Sequence, residues 1–328
     1  MDSEIEKILK KIRDEPRPRP PPEILPDLTP NVHLVAFIDI LGFGHEIENA
    51  KTRKNLESVY RKVRIVQKEF QKQSAADDPA QMENIHRIYG KRVLALSDAV
   101  VVAITPDSRG ASLLTPYDFL GFALYELSLA QMRCVVNHGI FLRGGISHGS
   151  FFFENDVLIS PALSRAYQLE NKHAEYPVIA MSEETRRAIL AVPQQGSYGS
   201  GTARMESYFA RHGRRVWRGK PLYFLDYLGA TWHDADPRMT SSERERARAA
   251  KEAHNSKLAQ RLFDRSYQRG EGDMLLAHRK AIESAYRNAS TNRVKRKYRW
   301  LMRYHNRCFP HHAPFLRKGV IDLSRFSR

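Results

Sequence analysis

Residues Phe37–Phe43 read FIDILGF, and they close an apolar run that begins with NVHLVA at Asn31. The β-branched and aromatic content of VHLVAFIDI predicts a strand. Asp39 then sits where apolar side chains belong, with a turn containing Gly42 directly behind it. A second stretch has the same anomaly: VLALSDAVVVAIT, from Val93, carries Asp98 in otherwise apolar company. A carboxylate is costly to bury unless it is paired. Either aspartate alone has an ordinary explanation, a capped or salt-bridged structural carboxylate. If the two strands are neighbours, however, Asp39 and Asp98 together offer the oxygen donors that Mg²⁺ or Mn²⁺ prefers, with phosphate oxygens completing the shell. The Gly42 turn would then expose backbone N–H groups to a polyphosphate.

The rest of the chain supplies the frame. GHEIENAKTRKNLESVYRKVRIVQKEFQKQ spaces Ile47, Leu56, Val59, Tyr60, Val63 and Val66 as one helical face. IHRIY and VLALSDAVVVAIT read as a hairpin turning at Gly90. YDFLGFALYELSLAQMRCVVNHG reads as a helix ended by Gly139. IFLRGGISHGSFFFENDVLI reads as a second hairpin. SPALSRAYQLENKHA predicts a helix capped by Ser160 with Pro161 at its first position. PVIAM predicts a strand. SEETRRAIL predicts a helix starting at Ser182, with Glu183 and Glu184 in its first turn, and PLYFLDYL the last strand. The order β-α-ββ-α-ββ-α-β-α-β predicts an α+β fold, with helices against a largely antiparallel sheet.

Three regions follow: a Pro-rich N-terminal arm (1–30), the strand–helix region (31–230) and a basic helical C-terminal extension (231–328). The arm's PRPRPPPEILPDLTP favours an open, extended chain. No apolar run reaches 18 residues, so no membrane-spanning helix is expected. The N-terminus lacks the apolar centre of a signal peptide. Two cysteines, Cys134 and Cys308, fit a reducing compartment, and the expected location is cytoplasmic. Lys and Arg number 53 against 37 Asp and Glu, a net charge of +16, which fits nucleic acid, anionic lipid or a phosphorylated substrate. In the extension, Arg296, Tyr298, Arg299, Trp300 and Tyr304 mix cations and aromatics as an RNA-binding helix does. A solvated helical face with an apolar seam is the commoner cause, and nucleic acid is not expected as a partner. Cys308, His311 and His312 lack a second ligand pair at zinc spacing.

Four motifs stand in order over roughly residues 32–190: FIDILGF, LSDAVVVA, LRGGISHGSFFFENDVLISPALSRAYQLEN and YPVIAMSEETRRAIL. They resemble the catalytic domain of the class III nucleotidyl cyclases. The likeness is to its F-x-D-I-x-G-F opening strand, its second metal-aspartate hairpin, its R-x-G-I-x-x-G hairpin with N-x-A-x-R helix, and the strand and helix that follow. The resemblance implies a βαββαβ core and a homodimer with active sites at the interface. It implies two Mn²⁺ or Mg²⁺ ions per site, held by Asp39 and Asp98 with the Ile40 carbonyl as a further ligand. Phe37, Leu41, Gly42 and Phe43 then belong to the segment that cradles the triphosphate. The implied reaction is attack of a nucleoside triphosphate's 3′-hydroxyl on its own α-phosphate, with pyrophosphate leaving.

The departures from the family pattern are also informative. With Ala166 and Glu170 set on the family's A-x-R-x-E, the transition-state arginine falls on Gln168 and the asparagine before it on Ser164. Gln168 cannot neutralise phosphate charge. Arg165 is the adjacent substitute and the third catalytic candidate, turned by about 100° around the helix. The family's purine-selecting lysine falls on Leu94. Strand alternation puts Arg92 on the face of Leu94 and Asp98, a candidate for a base carbonyl or phosphate; the ordinary reading is a solvated strand-end cation. Arg143 reads equally as structural or as phosphate-side. This combination resembles the pyrimidine cyclases of bacterial Pycsar anti-phage systems. It implies UTP, or else CTP, as substrate, a cyclic monophosphate as second messenger, and a separate effector that it activates. The alternatives are an inactive cyclase-like nucleotide sensor and a purine nucleotide cyclase.

Overall fold

The computed structural model describes residues 32–71, 90–104, 116–154, 157–191, 208–232, 256–312 and 319–326. The Pro-rich arm and the IHRIY strand lie outside the described residues.

Strand β1 (Val32–Ile40) lies inside a seven-stranded sheet of order β2-β3-β1-β4-β7-β9-β8. β2 (Arg92–Leu96) and β3 (Ala99–Ile104) form an antiparallel hairpin beside it. Their turn is Ser97–Asp98, with Ser97 in the left-handed region at φ 56. Gly90, where the sequence places a turn, stands in one at φ 49, and the IHRIY arm of that expected hairpin is outside the described residues. The Ser97–Asp98 turn is a further one: Ser and Asp bond their own backbone and favour turns, so LSDA reverses the chain instead of continuing a strand. β4 (Leu142–Ser150) pairs antiparallel with β1 on its other side. β7 (Ile179–Ser182) runs parallel to β4, and β9 (Lys220–Leu225) antiparallel to β7. β8 (Phe209–Trp217), which the sequence pattern did not predict, closes that edge. β5 (Phe152–Glu154) and β6 (Val157–Ile159) make a separate small ribbon. One parallel pair in an otherwise antiparallel sheet, with helices packed against it, is the expected α+β class.

The short α1 (Gly44–Glu48) follows β1, and α2 (Arg53–Gln71) and α3 (Pro116–His138) cover one sheet face. There Leu34, Ala36, Ile38 and Ile40 of β1 meet Val66, Phe70, Leu120, Leu124 and Leu127. The buried charges in this layer are paired, as burial requires. Glu69 takes Arg133 at 3.0 Å and His138 at 2.8 Å, and Glu126 takes Lys91 at 3.0 Å.

α4 (Pro161–His173) lies on the opposite face, against Val35, Val101 and Ala103. Ser160 Oγ accepts from the Leu163 N–H at 3.0 Å, the expected cap. α5 (Glu183–Leu190) likewise starts at Ser182, which accepts from the Thr185 N–H at 3.1 Å. α4 can approach the sheet only because residue 145 is glycine. A Cβ there would stand 2.0 Å from the Ala166 carbonyl oxygen.

The C-terminal layer is α6 (Tyr227–Trp232), α7 (Ser256–Asn288) and α8 (Asn292–His312), followed by a 3-10 turn at Leu323–Phe326. Leu275, Ile282, Leu301 and Met302 share one apolar cluster with Val135, Phe141, Val178 and Phe224 of the sheet region. This is the apolar seam of the basic helices. Beneath it runs a hydrogen-bonded chain. Burial holds the His278 and His305 rings far below their ordinary pKa, His305 at about 4, so both are neutral. The Gly319 carbonyl can only accept, so His305 donates to it through Nε2 (3.2 Å) and accepts at Nδ1. His278 must then donate from Nδ1 (3.0 Å) and accept the Tyr227 hydroxyl at Nε2 (2.7 Å). Two neutral rings satisfy every bond in this chain.

Candidate active site

Asp39 is the penultimate residue of β1, opposite Ala99 of β3 and Arg143 of β4. It shares the α4 face of the sheet with Phe37 and Val35 by alternation. Arg143 holds it: Nε lies 2.7 Å and Nη2 2.6 Å from Oδ2. Asp98 immediately precedes Ala99, so the β2–β3 turn brings the second carboxylate to the level of the first. Glu170 arrives from α4. Ala162, Ala166 and Glu170 repeat every four residues along the buried stripe of that helix. Its Oε1 stands 3.0 Å from Arg143 Nε. That N–H is aimed at Asp39, which leaves Glu170 Oε1 with an ion-pair contact and no hydrogen bond.

The electrostatics show a surplus of negative charge. Burial pushes the Asp39 carboxyl above its ordinary pKa; Arg143 opposes this, and the Asp98 charge adds to it. Burial also raises Glu170, Arg143 again opposes, and the charges of Asp39 and Asp98 push it further up. One guanidinium is thus shared between Asp39 and Glu170, and both carboxyls also feel the charge of Asp98.

The turn behind Asp39 is closed by the Phe43 N–H donating to the Ile40 carbonyl at 3.1 Å, with Gly42 at φ 80. This conformation suits glycine. The Leu41 N–H donates to the Phe141 carbonyl at 2.9 Å. With those amides committed, Gly42 and Gly44 are the turn's remaining donors for a phosphate. The side chains of this segment serve packing. Phe43 is buried in the α2–α3 layer, Leu41 packs on the C-terminal cluster, and Phe37 meets Tyr167 edge-on at 5.3 Å.

The remaining sequence candidates lie elsewhere on this protomer. Arg165 donates to Ser147 Oγ at 3.1 Å and to the His148 carbonyl at 3.0 Å. Those residues pair with Val35 and Leu34, roughly 13 Å or more from Asp39 at a strand's rise per residue. Arg92 pairs with Ala103, four residues beyond Ala99, and donates to the Phe153 carbonyl at 2.8 Å. Leu94, opposite Val101, is nearer and packs in the α4 layer. Ser164 is exposed on α4.

Among the described residues no group of three His, Cys, Asp or Glu side chains forms a ready metal cage. The chain offers two aspartates and the Ile40 carbonyl, which has one lone pair left after its bond to Phe43. This all-oxygen set, in a place with surplus negative charge, fits a hard divalent cation that brings waters and phosphate oxygens with it. Sequence reasoning missed Glu170 and Lys297. A carboxylate in step with two alanines was a visible signal for the first. Lys297, on α8, has Asp39, Glu170 and Arg143 within its electrostatic reach; nothing in its sequence neighbourhood pointed there.

No protein-family model matches the chain, and no curated protein matches it. Among solved structures, a similar one is the catalytic core of a rhodopsin-guanylyl cyclase with converted specificity, in complex with ATPαS. It is 15% identical, and the match covers 60% of this chain and 95% of that one at a TM-score of 0.37. A superposition this partial carries no functional weight.

Proposed function

We propose that the chain is a metal-dependent nucleotide cyclase that converts a pyrimidine nucleoside triphosphate, UTP by preference, to its 3′,5′-cyclic monophosphate and pyrophosphate. The observation that carries this reading is the meeting of Asp39 and Asp98 at one end of adjacent strands, directly before the Gly42 turn. The collinear motifs described above support it. Asp39, Asp98 and the Ile40 carbonyl would hold Mn²⁺ or Mg²⁺. The ion supplies charge neutralisation and lowers the pKa of a bound hydroxyl. Arg143 holds the Asp39 carboxylate and would offer a guanidinium to the phosphates, and the Gly42 and Gly44 amides of the following turn would add backbone donors. The pyrimidine preference rests on Leu94, which gives a purine no polar reader. The product's role as a second messenger for a separate effector is part of the same proposal.

A homodimer is also proposed. Val157, Ile159 and Tyr167 are 53%, 56% and 50% exposed around the β5–β6 ribbon and α4, an unusual set to leave in water. A second reading, a nucleotide sensor without turnover, draws on Arg143, which places both of its contacting nitrogens on Asp39. Asp39→Ala and Asp98→Ala separate the two. The cyclase predicts a loss of product by about 100-fold or more in each variant, with circular dichroism unchanged. Undiminished turnover in either variant removes the metal-site assignment.

A further inference from the structure

We propose that Lys297 of α8 binds the polyphosphate chain of the substrate at the Asp39 site, which makes the C-terminal helical layer part of the substrate-binding machinery. The proposal rests on the reading of that site as a nucleoside triphosphate site.

The residues on either side of Lys297 are pinned. Arg296 donates to Glu175 at 2.8 Å, and Tyr298 meets Phe141 edge-on at 5.1 Å. Phe141 is the residue whose carbonyl holds the Leu41 amide, so α8 is docked on the turn that follows Asp39. Trp300, one turn on, stacks on Tyr176 at 5.1 Å. Lys297 is half-buried by this docking. Asp39 and Glu175 attract its ammonium, while Arg143 and Arg293 repel it. Among the described residues, no carboxylate lies within ion-pair distance of it. A half-buried ammonium repelled by two guanidiniums and, among the described residues, without an ion-pair partner is a place for an anion. The neighbouring carboxylates and their cation leave the terminal phosphates as the anion in reach.

The need for such a cation is local. On α4, the helix lying over the site, Ser164 and Gln168 carry no charge, and Arg165 is spent on Ser147 and His148. Arg143 is already shared between Asp39 and Glu170. Among the described residues, Lys297 is a further cation whose charge acts on both Asp39 and Glu170.

The test is calorimetric titration of the full chain with inorganic tripolyphosphate, with and without Mg²⁺, in wild type, Lys297→Met, Lys297→Arg and Arg303→Met. Arg303 is an exposed cation on the same helix and reports the effect of net charge alone. The proposal expects Lys297→Met to lose about tenfold in affinity, the worth of one charge-assisted hydrogen bond, and Lys297→Arg to recover most of it. Arg303→Met should match wild type. Equal affinity for wild type and Lys297→Met overturns the proposal, as does a wild type that binds no tripolyphosphate. If Lys297→Met fails to fold, Lys297→Gln replaces it. Turnover is measured separately. A protein that binds tripolyphosphate through Lys297 and cyclises no triphosphate would refute the cyclase and leave the phosphate site standing.

Discussion

At Asp39 two forces oppose each other. Burial favours the neutral carboxyl and Arg143 the ionised one, and the pKa is raised on balance. Glu170 is raised in the same way. A carboxyl whose folded pKa lies above its unfolded value adds stability at low pH, and that contribution is lost as pH rises through the folded value. The ionised site is therefore under strain at neutral pH, and on the proposed reading a divalent cation would relieve it. The melting temperature should accordingly rise more on adding Mn²⁺ at pH 8 than at pH 5. The gain should vanish in Asp98→Asn, and an equal gain in that variant would place the ion elsewhere. The two aspartates were legible in the sequence because each interrupts an apolar run. The distance of Arg92 from Asp39 was not, since alternation fixes a side chain's face but not how far along the strand it lies. Lys297 was hidden for another reason: its helix comes to the Asp39 turn by tertiary packing, including Tyr298 on Phe141 and Trp300 on Tyr176.

Among the elements, α4 is positioned by an absence. Gly145 lets the Ala166 carbonyl come against β4, and this contact sets how far into the site Glu170 reaches. Gly145→Ala must push helix from sheet, because the atom it meets is backbone. A loss of about 3 kcal/mol is expected, at the upper end of overpacking, read as a lower urea midpoint at unchanged slope. An unchanged midpoint would mean that α4 has room to shift. Both helix starts at Ser160 and Ser182 were readable because capping is local chemistry. The Ser97–Asp98 turn was readable as turn-forming residues but was outweighed by the apolar run around it. β8 was not readable: Arg211, Gly213, Arg214 and Arg215 carry little strand signal, and the strand exists through its pairing with β9.

Over the whole molecule, the basic C-terminal helices are joined to the sheet by apolar packing and by neutral histidines. Burial lowers His212 and His305 from 6.5 to about 4. A base held below its unfolded pKa contributes stability above that pKa, and the contribution is lost as pH falls through the folded value. Each is worth on the order of 3 kcal/mol. Stability should therefore fall steeply between pH 6.5 and 4. His212 sits among Tyr176, Phe224 and Trp300 with its Nε2 unbonded, so His212→Phe should flatten that slope by about one proton; an unchanged slope would assign the acid lability elsewhere. The exposed Val157, Ile159 and Tyr167 predict that Ile159→Lys shifts the chain from dimer to monomer by light scattering, and a variant that remains dimeric would move the interface to another face. The α+β class was legible from element order alone, whereas the place of the C-terminal layer required the tertiary contacts of Phe141 and Val178. The most direct test of the cyclase is incubation of the purified chain with Mn²⁺ and ATP, GTP, CTP or UTP separately, with products resolved by mass. The account predicts a cyclic monophosphate from UTP or CTP, and from neither purine nucleotide. The absence of cyclic product from all four would contradict it.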